Sequence, residues 1–272
     1  MSELTPLLPL ALALIASGVL AGLIAGLLGV GGGIVLVPVL DIALQRAGFP
    51  AEGSLHVAVA TSLATIIPTS ITSSRAHSRR DAIDFEIVRA WAPGMVLGGL
   101  IGSLLASVAP VAVLSGVFGV MAALVALKMM LPLEHLRLRA EVPRGLGGNL
   151  LAGVIGTASA LMGIGGGTLS VPAMTLTGAP IHRAVGTAAL FGLLLSAPGT
   201  LGYLLSEPNI ALPYLTIGYV NLTALAIVAP ISALVAPVGA RLAHAIDRRR
   251  LSQVFGVFLI LVASRMLYRT FA

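Results

Sequence analysis

Two glycine runs, Gly29-Val30-Gly31-Gly32-Gly33 and Gly163-Ile164-Gly165-Gly166-Gly167, hold the residues of this sequence best suited to chemistry. Each leads into an apolar stretch and a proline, Pro38 or Pro172. Each glycine costs a helix about 1 kcal/mol relative to alanine. Three in a row inside an apolar segment therefore read as an unwound break followed by a helix restart. The break leaves backbone N–H groups without partners, which costs several kcal/mol each in hydrocarbon. At the restart those groups converge and carry the positive end of the helix dipole, which is an anion site. Gly31, Gly32, Gly33, Gly165, Gly166 and Gly167 are thus the candidate substrate-binding residues. One such run alone would be equally well explained by close helix crossing. Two matched runs favour a site. A dinucleotide-binding reading fails, because it needs a strand ahead of the glycines and a soluble crossover unit.

His56 and His182 each open the third apolar segment of their half, with Thr61 and Thr187 five residues on. An imidazole near a cavity can donate to an oxyanion or carry a coupling proton. A helix-start histidine bonded to a loop carbonyl is the other role that fits. Arg183, opposite Val57 in the first half, is a candidate contact that fits better as a basic residue at the cytoplasmic edge. Thr168, Ser170 and Ser62 could add hydroxyl donors, or bond back to their own helices. No Asp or Glu lies deep in an apolar segment, which argues against a carboxylate relay or a cation cage. Asp41 and Asn221 fall near segment ends and fit interfacial positions, and Lys128 and Arg265 fit snorkelling ones. The sequence contains no cysteine, so disulfides and thiolate sites are excluded. Neither a metal nor a cofactor is expected. An enzyme would need a nucleophile–base pair or metal cluster within the spans, and the histidines alone supply neither.

The elements that must position these residues follow from composition. Of 272 residues 57% are hydrophobic and only 10% charged, against about 25% charged in soluble domains. That places the chain in a membrane and excludes a soluble or disordered protein. At roughly 20 residues per crossing the length allows about ten short helices and no extramembrane domain. The 32 glycines and 16 prolines suit helices that pack closely, break or unwind. The net charge of +6 sits in short loops, where it is a topology signal rather than a nucleic-acid surface. The run from Leu7 to Gly22 lacks the basic start of a signal peptide and is expected to be a retained first helix.

Apolar segments run near 7–28, 32–45, 55–74, 90–107 and 111–131, then near 146–163, 166–180, 183–205, 217–240 and 251–270. The second of each set is too short for a full span. The two sets match: the glycine motifs, His56 to Thr61 with His182 to Thr187, Pro93 with Pro230, Gly102 with Gly239, and Phe118-Gly119-Val120 with Phe255-Gly256-Val257. The predicted organisation is a first membrane repeat over 1–131, a basic cytoplasmic linker over 132–145 and a second repeat over 146–272. With five crossings per half and the N-terminus outside, the inside loops collect Arg75, Arg79, Arg80, Arg89, Lys128, Arg137, Arg139, Arg144, Arg183, Arg241, Arg248, Arg249 and Arg250. Only Arg46, Arg265 and Arg269 remain outside, as the positive-inside rule requires. Re-entrant short segments would make the repeats parallel and put the 241–250 cluster outside. The fold expected is therefore an all-α polytopic membrane protein of two inverted five-segment repeats, the second segment of each broken at its glycines. That is the mark of a secondary transporter with a midplane site.

On the duplicated glycine motifs, each followed by Val-Pro, and on Ala60-Thr61-Ser62 and Gly186-Thr187-Ala188, the chain resembles the sulfite exporter TauE/SafE family of sulfonate uptake permeases. The resemblance covers nearly the whole chain. It implies a multi-pass transporter of the prokaryotic inner membrane for sulfite, organosulfonates or related sulfur anions, often exporting them. The partners expected are that small anion and the bilayer, with no nucleic acid, and a homodimer is a candidate assembly. A passive anion channel of the same architecture is the alternative.

Overall fold

The computed structural model describes residues 7–28, 32–130, 141–213, 215–245 and 248–271. Gly31 and most of the 132–145 linker lie outside these residues. Ten helices are found among them: α1 (Leu7–Leu28), α2 (Gly33–Arg46), α3 (Ala51–Ser78), α4 (Phe85–Val108), α5 (Val111–Met130), α6 (Gly145–Met162), α7 (Gly167–Leu176), α8 (Ile181–Leu205), α9 (Leu222–Ala245) and α10 (Arg248–Phe271). Seven of them are long and apolar enough to cross a bilayer, while α2 and α7 are short, with 14 and 10 residues. One two-residue hairpin, β1 (Thr216–Ile217) with β2 (Val220–Asn221), precedes α9. The chain is an all-α, multi-pass membrane protein.

The helix boundaries have local causes. Gly48 (φ +89°) and Gly178 (φ +93°) close the two short helices in the left-handed conformation glycine tolerates. Pro50 and Pro180, extended at ψ 136° and 138°, then start α3 and α8. Both short helices thus turn into their long neighbours in the same way. Asp84 caps α4, its Oδ1 accepting the N–H groups of Glu86 and Ile87 at 3.1 Å.

In the packing, α4 lies along α6, α1 along α9, α5 along α10 and α3 along α8. If the helices are numbered within each half, α4–α6 and α1–α9 are the same pairing with the halves exchanged. Small residues permit the approach. A Cβ on Gly94, Gly98 or Gly102 would overlap the carbonyls of Asn149, Gly153 and Thr157. One on Gly22 would overlap the Ser232 backbone, and one on Gly239 that of Leu23. Without a hydrophobic drive between helices in lipid, such backbone proximity is what associates them. Helix α3 is the central element, its residues from Gly53 to Ile66 all buried.

Asp41 departs from the interfacial position expected of it. It is 0% exposed and is held by Arg269 at 2.6 Å, the Ser54 hydroxyl at 2.7 Å and Gln45 at 2.9 Å. Asn221 is buried too. A carboxylate can be enclosed here because a guanidinium and two neutral donors neutralise and solvate it. At the opposite end of the bundle Arg144 pairs with Glu86 at 2.9 Å, and the Trp91 indole donates to the Pro143 carbonyl at 2.9 Å.

Candidate functional site

The second break begins at Gly163, which ends α6 at φ +65°. Any side chain there would strike the Cα and carbonyl oxygen of Val59, each 2.7 Å from its Cβ. The chain crosses Ile164 and Gly165 and restarts as α7, with Gly166 at the cap position. Ser62 of α3 donates to the Gly163 carbonyl at 2.7 Å and fixes the break to the central helix. Gly32, also at φ +65°, caps α2. A Cβ on the next residue, Gly33, would lie 2.7 Å from the Gly163 carbonyl and 2.9 Å from the Ile164 Cα. The two breaks therefore touch, backbone to backbone, against α3.

A cavity of about 450 Å³ opens beside them. Gly32, Gly165, Gly166 and Gly167 form its inner end. The N–H groups of Gly166 and Gly167 make no hydrogen bond with any described residue, as expected of the first positions of a helix. One wall is a stripe of α3: Thr65, Thr69, Ser73 and His77, four residues apart and so on one face. Ser70 stands beside them, and α8 supplies Ala188, Ala189 and Gly192 while α9 supplies Ser232. The Thr65 and Thr69 hydroxyls donate to carbonyls of their own helix. Those of Ser70 and Ser73 have no partner among the described residues. The lining passes from buried Thr65 to half-buried His77 and exposed Ala76, so the cavity opens at the C-terminal end of α3. Leu63, Ala160, Leu195 and Tyr203 are all 0% exposed, and the Tyr203 hydroxyl donates to the Ala160 carbonyl at 3.3 Å. No acidic residue lies among the described lining residues. Chemically the cavity offers backbone N–H groups, free hydroxyls and one imidazole. These are donors without a competing negative charge, a set suited to a small anion. Among the described residues no three His, Asp or Glu side chains converge as a metal site would need.

The other predicted contacts lie at helix ends. His56 is buried at the far end of α3, its Nε2 donating to the Ala109 carbonyl at 3.0 Å and its ring stacked on Tyr219. His182 is exposed at the start of α8. The Thr61 hydroxyl accepts from the Asn221 N–H at 3.0 Å, and Thr187 accepts from the Asp84 N–H at 2.9 Å. Arg183 approaches Asp84 at 3.7 Å. None of these five is among the described residues lining the cavity. The structure brings together the glycines and leaves the histidines and threonines apart. Ser70, Ser73 and His77 were not anticipated. Their signal was available in the four-residue spacing of Thr65, Thr69, Ser73 and His77.

Comparison with known proteins agrees with this architecture. The chain is 32% identical to a "Probable membrane transporter protein" of Haemophilus influenzae over 92% of its own length and 95% of the relative's. A "Probable membrane transporter protein YunE" of Bacillus subtilis is 28% identical, covering 94% of this chain and 96% of the relative. One from Methanocaldococcus jannaschii, likewise called a probable membrane transporter protein, is 30% identical over 81% of this chain and 80% of its own. No solved structure matches. Residues 14–266 match the family described as Sulfite exporter TauE/SafE, and the chain belongs to that family.

Proposed function

We propose that the protein is a secondary transporter that moves small sulfur-containing anions, sulfite or organosulfonates, by alternating access between two inverted repeats. The observation that carries this reading is the cavity in which unbonded N–H groups at the start of α7 face free hydroxyls of α3 with no acidic residue nearby. The glycines Gly32, Gly165, Gly166 and Gly167 hold the oxyanion, Gly33 lets the two breaks meet, and Ser70, Ser73 and His77 complete its shell. On this reading, the positive-inside rule favours the C-terminal end of α3 in the cytoplasm and both chain termini outside a prokaryotic inner membrane. The cavity then opens inward, the resting state an exporter needs to collect its substrate. The exchanged pairings α1–α9 and α6–α4 support the inverted repeat. A passive anion channel of the same architecture is the alternative reading.

Reconstituted into liposomes, the protein is expected to give saturable sulfite flux with counterflow. Gly166→Leu, which forces a side chain onto the Phe191–Gly192 backbone, should abolish flux. The milder Ser73→Val should lower affinity while the protein inserts normally. Flux that grows linearly with concentration, without counterflow, would return the channel reading.

A further inference from the structure

The cavity-lining stripe of α8 does not end where the cavity ends. Ala188 and Gly192 face the cavity, and the same helical face continues, four residues at a time, through Ser196 and Thr200. Both are buried, at 0% and 6% exposure, and neither hydroxyl has a hydrogen-bond partner among the described residues. Other hydroxyls, at the end of α8 and on α3, behave otherwise. Ser206 donates to the Gly202 carbonyl at 2.7 Å and Thr65 to the Thr61 carbonyl at 2.8 Å, the usual way a hydroxyl is satisfied in an apolar helix. A buried hydroxyl left unpaired is costly and calls for an explanation.

The surroundings supply one. Along this stretch α8 is pressed onto α4: a Cβ on Gly99 would lie 2.6 Å from the Leu195 carbonyl, and one on Gly202 would overlap the Ser103 hydroxyl. The corresponding pair in the other half, α3 with α9, is held apart by the cavity, which Thr69 and Ser73 line from one side and Ser232 and Ala236 from the other. One seam is shut where its counterpart is open. We infer that Ser196 and Thr200, on the cavity-facing side of α8, are substrate-contacting hydroxyls of the outward half of the path, stored dry while α4 and α8 are closed together and the α3–α9 side is open. They serve as donors to the same small oxyanion that Ser70 and Ser73 face on the inward side. This rests on the transport reading given above.

The absence of native cysteine lets the inference be tested by single substitutions labelled with a charged, membrane-impermeant thiol reagent, applied to right-side-out and inside-out vesicles. Ser70→Cys should react from the cytoplasmic face. Ser196→Cys and Thr200→Cys should react from the outer face, with or without sulfite present. Ser115→Cys, packed between α5 and α10 where Ser115 bonds Thr270, should stay unlabelled from both. Ser196→Cys and Thr200→Cys variants that stay unreactive in every condition, or react from the same face as Ser70→Cys, overturn the inference. Ser196→Ala should also raise the KM for sulfite roughly threefold to tenfold, the weight of one hydrogen bond; an unchanged KM counts against it. Because labelling is read without sulfite too, absence of sulfite flux in wild-type vesicles would fail the substrate assignment and leave the labelling result standing separately.

Discussion

The Thr61 hydroxyl accepts the backbone N–H of Asn221 at 3.0 Å, although 160 residues separate them. Thr187 does the same for Asp84 at 2.9 Å. Asn221 in turn caps α9, its Oδ1 accepting the Ala224 N–H at 2.7 Å, as Asp84 caps α4. Each long central helix therefore holds the start of a helix belonging to the other half. Two threonines that recur at equivalent positions are accounted for by a repeated cap, and the bond ties the halves together at both ends of the bundle.

Thr61→Val and Thr187→Val keep the shape and remove the acceptor, leaving a buried N–H unpaired at about 1–3 kcal/mol. Each is expected to lower the thermal midpoint in detergent while leaving the sulfite KM unaltered. A raised KM with an unchanged midpoint would make them substrate contacts instead.

Gly163→Ala combines a left-handed φ with a collision against the Val59 backbone. It should destabilise by more than about 2 kcal/mol. Gly147→Ala, within α6 where an added Cβ meets nothing within 4 Å, should stabilise by about 0.5–1 kcal/mol. Thermal unfolding of the two variants side by side checks both signs.

Much of this fold was legible because its signals are local. An apolar run and the glycine or proline that ends it sit next to each other in sequence, so the segment near 111–131 became Val111–Met130. The expectation for α3 stopped at residue 74, while the helix runs to Ser78. The polar residues that blurred its end, Thr69, Ser70, Thr72, Ser73 and His77, line a cavity rather than facing lipid. Hydropathy reads such a stretch as the edge of the membrane. The candidate site divided in the same way. The glycine breaks announce themselves as two matched triplets, although Gly33 and Gly166 also serve close backbone packing. Tertiary bonds such as Thr61 to Asn221 and Asp41 to Arg269 link residues more than 150 positions apart, and single-sequence patterns carry nothing that pairs them.

The buried Asp41–Arg269 pair gives a test of how α10 is held. Arg269 also donates to the Ala51 carbonyl, so it joins α2, α3 and α10 at one end of the bundle. Arg269→Met strands a fully buried carboxylate and should cost about 3–5 kcal/mol. The double variant Asp41→Leu with Arg269→Met removes both charges and should recover most of that loss. Thermal midpoints of the wild type, the single variant and the double variant decide it. A double variant as unstable as the single one would mean that α10 is anchored by packing and not by this pair.

His77 is the one titratable side chain among the described cavity residues, and its imidazole makes no hydrogen bond with a described residue. Protonated, it adds a positive donor to the cavity; neutral, it presents one donor and one acceptor. Binding of an anion whose own charge is fixed should therefore weaken as pH rises through the imidazole range, about 5 to 8. Methanesulfonate, a permanent monoanion over that range, isolates the protein's contribution from any titration of the substrate. The sign follows from linkage: an anion that binds the imidazolium form more tightly raises the imidazole pKa on binding, so affinity is greatest at low pH and declines as the proton is lost. His77→Gln keeps a neutral donor and acceptor and should flatten the profile at the wild-type high-pH value. The measurement is methanesulfonate affinity by thermal shift at several pH values. A wild-type profile already flat, or one that His77→Gln leaves sloping, would remove His77 from the site and leave the oxyanion to the glycine N–H groups and the serines alone.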